Sequence, residues 1–334
     1  MSLYRKIFKR SLSLTWHNKY LWFFGLFAAI LGGLGKYEIS LNRISGDIQE
    51  GFYPSVVGFL NSKVASNLSF PNVVETFQND PLSMMIIVGL FLIIGILAAF
   101  ILWLSIVSQV GLVNNSANII KSNKKYSSLK IKDGVAVGMK HFWPVLGWNF
   151  IIKTLIYVLF AILSLPLVYL IANGSSSINS LLYILLFIVF IPAALILSLI
   201  LKYSICCIVI KGKGFVDAFV DSWNLFLRNW LISLEMAGIL FVIQFLATIA
   251  ILLIILALAI PFIFLVYLVG AVTISLAGKM MFVGVFLGVA LSILVGAIFT
   301  TFQISSWTGL FLELTGKRGA LSKLIRLTAK KKKG

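Results

Sequence analysis

Residues 231–278 read LISLEMAGILFVIQFLATIAILLIILALAIPFIFLVYLVGAVTISLAG, 48 residues that hold a single charged side chain, Glu235. A bilayer core is crossed by about 20 residues of helix, and only a helix satisfies its own backbone hydrogen bonds in hydrocarbon. This stretch therefore has room for one long kinked helix or for two, with Pro261 as the place to break.

The whole chain shares that character. Of 334 residues, 60% are hydrophobic and 11% charged, against roughly 45–50% and about 25% in soluble domains. The fold class that follows is all-α, a polytopic transmembrane helical bundle. Six crossings are expected, from Tyr20 to Gly35, Leu82 to Val107, Trp148 to Ile171, Leu181 to Leu201, Leu234 to Pro261 and Phe282 to Leu310. The opening residues imitate a signal peptide, but Gly32, Gly33 and Gly35 follow the apolar run without a small-residue cleavage site, so retention is expected.

Basic loops resist translocation and mark the cytosolic side. Residues 1–19, 114–147, the loop bearing Lys211, Lys213 and Arg228, and the tail together carry 22 Lys and Arg, against four (Lys36, Arg43, Lys63, Lys279) on the opposite side. Both termini are thus expected in the cytosol and the protein in the cytoplasmic membrane. The outer loop, 36–80, holds Glu38, Asp47, Glu50, Glu75 and Asp80, half of all the acids, and reads as a structured cap.

A threefold repeat is expected over residues 1–113, 126–210 and 213–315, within a single transmembrane domain spanning 1–315, followed by a basic tail, 316–334. Each copy opens with an amphipathic segment, passes two tryptophans and enters a hairpin. The apolar stripes are Leu3, Ile7, Phe8, Ser11 and Leu12; Ile131, Val135, Met139 and Phe142; and Phe215, Phe219, Trp223 and Phe226. The tryptophan pairs Trp16 and Trp22, Trp143 and Trp148, and Trp223 and Trp230 are expected to anchor the hairpins at the headgroup level, with the stripes lying on the leaflet. In lipid, helices associate where small side chains let backbones approach. Gly284, Gly288, Ser292 and Gly296 offer such a ridge, and Gly25, Ala29 and Gly33 another.

The segments Thr15-Trp16 through Trp22-Phe23-Phe24-Gly25-Leu26-Phe27 and Ser222-Trp223-Asn224-Leu225-Phe226-Leu227-Arg228-Asn229-Trp230-Leu231 resemble a broad family of prokaryotic membrane domains. That family includes the membrane domain fused to glycerophosphodiester phosphodiesterases. The resemblance implies a six-helix domain of unassigned role. The family's phosphodiesterase activity belongs to a separate soluble barrel for which this chain has no room, so no catalytic residue carries over.

Charged groups within a span cost about 2.5–3.5 kcal/mol each at mid-depth and invite a functional reading. Lys153 and Glu235 each lie five residues past a boundary tryptophan, which makes an ion pair between hairpins, separate snorkelling or a relay the three readings. Gln244 and Gln303 would bond across helices. His17 and His141 lack carboxylate or thiolate neighbours in the sequence, and Cys206 and Cys207 lack ligand spacing, so no metal or cofactor is expected. Gly316-Lys317-Arg318 is not a phosphate loop, because Phe311 stands where the upstream glycine belongs.

In the tail, Leu321, Leu324, Ile325 and Thr328 share a helical face beside Lys317, Arg318, Lys323, Arg326, Lys330, Lys331, Lys332 and Lys333. Such a segment suits an anionic leaflet. Without aromatics interleaved among the lysines, nucleic acid is not an expected partner. The functional expectation is a non-enzymatic membrane protein concerned with membrane or envelope organisation, with lipids as partners and a second copy or an envelope protein as a further one. A small-solute transporter is the alternative. A lipid-modifying enzyme using Asp217, Asp221 and Glu313 comes third.

Overall fold

The structure is a computed structural model that describes residues 3–30, 81–122, 131–173, 177–270 and 273–316. Among them every regular element is helical: α1 (Leu3–His17), α2 (Tyr20–Ile30), α3 (Pro81–Ser122), α4 (Ile131–Lys140), α5 (Phe142–Asn173), α6 (Ser177–Lys211), α7 (Phe215–Arg228), α8 (Trp230–Gly270) and α9 (Ile274–Thr315). Five of these, α3, α5, α6, α8 and α9, are long and apolar enough to cross a membrane, and the protein is a multi-pass membrane protein. The described part of the first expected span is α2; its remainder, the loop 36–80 and the tail lie outside the described residues.

The quoted stretch resolves into one helix and the start of the next. Helix α8 runs through Pro261 without ending, and α9 begins at Ile274, eight residues before the expected Phe282. At 1.5 Å per residue, the 41 residues of α8 and 42 of α9 extend about 60 Å each, twice the hydrocarbon thickness. The surplus length is where packing happens.

Contacts divide the chain into two units, Met1–Leu26 with Ile106–Gly334, and Phe27–Ser105. The second contributes, among described residues, a stretch of α3 whose side chains from Val88 to Leu102 are mostly exposed apolar groups, with Phe100 stacked on Trp103.

The first unit holds the core, built from the C-terminal parts of α3, α6 and α9. Ile106 to Ile119, Leu199 to Val209 and Ala297 to Phe311 supply most of the buried side chains. Toward the other end, α5, α8 and α9 expose Leu, Ile, Val and Phe on every side, as helices facing lipid do. Many of the buried groups are small and polar. Ser116 Oγ lies 2.9 Å from Ser305 Oγ, Ser204 Oγ lies 2.9 Å from Ser222 Oγ, and Thr308 donates to the Ile304 carbonyl at 2.9 Å. Small side chains with internal hydrogen bonds let helices approach closely at little desolvation cost.

A motif of amphipathic short helix, tight joint and apolar helix recurs three times: α1 into α2, α4 into α5, and α7 into α8. At each joint a polar side chain caps the short helix by bonding the carbonyl four residues back. Asn18 Nδ2 donates to Leu14 O at 3.0 Å, His141 Nδ1 lies 3.2 Å from Val137 O, and Asn229 Nδ2 donates to Leu225 O at 3.1 Å. The joint residue's own carbonyl then accepts from the next helix, from Leu21, Val145 and Ser233 respectively. Carbonyls that a helix end would leave bare are thereby satisfied.

Each short helix docks on a long helix that returns toward it. Helix α4 lies on α3, where a Cβ on Gly138 would sit 2.6 Å from the Val107 carbonyl and one on Gly111 3.0 Å from the Gly134 carbonyl. Helix α7 packs on α6, the element preceding it, and α1 packs on α9, the last helix among the described residues. The third docking thus joins the two ends of the described chain.

Candidate functional site

The docking of α1 brings Glu235 into a polar cluster. Glu235 lies in the second turn of α8, and its carboxylate accepts a hydrogen bond from the Tyr4 hydroxyl on α1, 231 residues away. Tyr4 is 5% exposed. Burial, reinforced by the hydrogen bond to Glu235, holds its phenol proton well above the usual tyrosine range. Two residues before Glu235, Ser233 Oγ lies 2.6 Å from the Tyr203 hydroxyl of α6. The Tyr203 ring meets Trp307 edge-on at 6.3 Å and Phe311 at 6.4 Å, both on α9. Lys202 Nζ sits 4.4 Å from the Trp307 ring centroid, a cation–π contact. Four helices, α1, α6, α8 and α9, therefore converge on one carboxylate, two phenols, a hydroxyl and an ammonium. The arrangement can fix α1 and can hold a proton between Tyr4 and Glu235. Spacing alone singled out Glu235 but not Tyr4, Tyr203, Ser233 or Trp307, which come from other elements.

Lys153, the other charged residue singled out, is half-buried on α5. Nearby, Asn149 Nδ2 donates to Gln109 Oε1 of α3 at 3.1 Å.

The six tryptophans divide. Trp143 is 76% and Trp16 62% exposed, and Trp223 and Trp230 are also on the surface. Trp148 departs from the anchor role: it is 6% exposed and stacks on Phe215 at 4.5 Å and Phe219 at 5.0 Å. Its indole N–H donates to the Phe215 carbonyl at 3.1 Å. It clamps α5 to α7. Trp22 is half-buried, and its indole donates to the Thr15 carbonyl across the first joint at 2.8 Å. The tryptophans also fall out of register with the joints, two before and four after Asn18, two and seven after His141, six before and one after Asn229. The capping residue, not the indole, is what the copies share.

The amphipathic stripes are corrected likewise. In α1 the buried residues are Tyr4, Ile7, Ser11, Leu14 and Thr15, so Ile7 and Ser11 face protein, whereas Leu12 is exposed. In α7 the buried face is Ala218, Ser222 and Phe226. The outward residues of the short helices are Leu12 and Trp16, Ile131 and Met139, and Val216, Val220, Trp223 and Leu227.

The ridge on α9 is corrected too. Only Gly284 is closely packed, under the Phe262 ring of α8, while Gly288 and Gly296 meet nothing within 4 Å and Ser292 is exposed. The close approach is made instead by Gly25 of α2 against Thr301 and the Ala297 carbonyl, with Thr301 donating to Leu21 O at 3.2 Å. Cys206 and Cys207 are both free and buried. The eight basic residues of the tail lie outside the described residues.

Comparison with protein-family models, with curated proteins and with solved structures gives no match.

Proposed function

We propose that the protein is a non-enzymatic scaffold of the cytoplasmic membrane, its termini and lysine-rich connections in the cytosol, gripping the anionic inner leaflet and organising lipid or envelope components around it. One observation carries this reading. The three short helices bury one face in the core and leave Leu12, Trp16, Met139, Val220 and Trp223 exposed, with Trp143 exposed at the start of α5, on segments that hold or flank half of the chain's lysines. Exposed indoles beside lysines suit the headgroup region of a negatively charged leaflet. The six-helix architecture implied by the family resemblance fits the same reading, as does an ion pair or snorkelling role for Lys153.

The test is quenching of tryptophan fluorescence by lipids brominated near the headgroup, in proteoliposomes of one part phosphatidylglycerol to three of phosphatidylcholine. Trp143→Phe should remove a well-quenched component, and Trp148→Phe a shielded one. Equal shielding of both would refute leaflet contact. Solute transport, the competing reading, would instead require cysteines placed along the helices to report a water-accessible line through the bundle.

A further inference from the structure

At the ends of the three return helices the structure has an open bowl of about 500 Å³. Its floor is Ile120 of α3, Ile210 of α6 and Phe311 of α9, and its rim carries Lys121, Lys211 and Glu313. A smaller crevice beside it shares Ile120 and Glu313 and adds Lys6 and Arg10 of α1.

The charge balance decides what the bowl accepts. Glu313 is held by Lys6 Nζ at 2.9 Å. Asp221 is held by Lys213 at 3.3 Å and, more loosely, by Lys211 at 3.9 Å. Arg10 donates to the Ile120 carbonyl, which places its guanidinium at the rim. The Lys213–Asp221 pair lies off the lining, so among the described residues four cations (Lys6, Arg10, Lys121 and Lys211) line the bowl and its crevice with one carboxylate, Glu313. The C-terminal ends of α3, α6 and α9 each add about half a negative charge. A surplus of between one and two positive charges remains over an apolar floor. Lys211 Nζ also sits 5.4 Å from the Phe311 ring centroid, which fixes one ammonium above that floor.

We propose that this bowl binds a phosphate group, carried by a lipid headgroup whose glycerol and upper acyl carbons cover Ile120, Ile210 and Phe311, or present as free phosphate. Lysines recognise phosphate as point charges, and the apolar floor adds affinity that only an amphiphile can use. This inference rests on the leaflet reading above for the source of the lipid.

The experiment titrates full-length protein in neutral detergent with dihexanoyl phosphatidic acid, dihexanoyl phosphatidylcholine and inorganic phosphate. Paired substitutions Lys121→Gln with Lys211→Gln should weaken phosphatidic acid binding about thirtyfold. Lys132→Gln with Lys140→Gln, an equal charge change on exposed positions of α4, should weaken it less than threefold. Should the bowl pair fail to fold, as judged by loss of shielding of Cys206 and Cys207, Lys121→Gln alone should still weaken binding about fivefold. Inorganic phosphate binding as tightly as phosphatidic acid assigns the free ion, and preference for the lipid assigns the headgroup. Equal weakening by both pairs, or no binding of either phosphate compound by the unaltered protein, overturns the bowl. The bromolipid measurement does not depend on these lysines, so loss of the bowl leaves the leaflet reading standing, and the reverse.

Discussion

Replacing Tyr4 by Phe removes a single oxygen, and the structure says what that oxygen does. It donates to Glu235, a half-buried carboxylate in the second turn of a long apolar helix. A hydrogen bond to a charged group is worth about 1.5–3 kcal/mol, which is about 10- to 150-fold in the equilibrium between closed and opened core. With roughly 2 °C lost per kcal/mol in a chain of this size, the midpoint should fall by about 3–6 °C. Cys206 and Cys207 provide the assay, because both thiols are buried in α6 and react with a fluorogenic maleimide only once the core opens. Tyr4→Phe, Glu235→Gln and the double variant form a cycle; a coupling of at least about 1 kcal/mol is expected. The same cycle with Lys153→Met in place of Tyr4→Phe tests the ion pair expected from the sequence. Coupling to Lys153 and not to Tyr4 would refute the docking of α1 at Glu235. Alkali offers an independent check. The native phenol of Tyr4 holds its proton more tightly than an unfolded tyrosine. Its contribution is therefore complete below the unfolded value near 10 and declines as pH rises above it. Tyr4→Phe should flatten that alkaline loss.

Two further predictions separate packed from open positions. Gly138→Val pushes a branched side chain into the Val107 backbone, which a bare Cβ would already approach to 2.6 Å, and should cost about 1–3 kcal/mol or more. Gly288→Ala and Gly296→Ala meet open space and should be neutral or stabilise by up to about 1 kcal/mol through helix propensity; both are read by the same thiol assay. Trp148→Ala deletes a ring stacked on two others and should cost about 3–5 kcal/mol. Trp143→Ala should change detergent stability by less than about 0.5 kcal/mol while reducing quenching by brominated lipid.

How much of this the sequence discloses depends on which physical distinction is involved. Hydrocarbon is so hostile to charge that stretches such as 231–278 admit one fold class, and the helices confirm it. An amphipathic stripe is less informative, since Leu3, Ile7, Phe8, Ser11 and Leu12 look the same whether their neighbour is a leaflet or another helix. Signals that favour a helix were nevertheless in the chain. Gly134 and Gly138 form a notch on α4, and Ser11 and Ser222 interrupt stripes that a lipid surface would prefer unbroken. The repeat was legible as a layout but not in its register. Tryptophan stands out by its rarity, whereas Asn18, His141 and Asn229 differ in identity or context and share only a hydrogen-bond geometry that appears once the backbone is placed. Glu235 was legible as a charge out of place. Its partner was not, because periodicity carries no information about a contact 231 residues away. That contact joins the first described helix to α8, so stability where α1 docks depends on α1 being present when α8 and α9 pack. The same dependence makes Tyr4, a residue of a short helix that by length and composition need not have been essential, the most informative position to change.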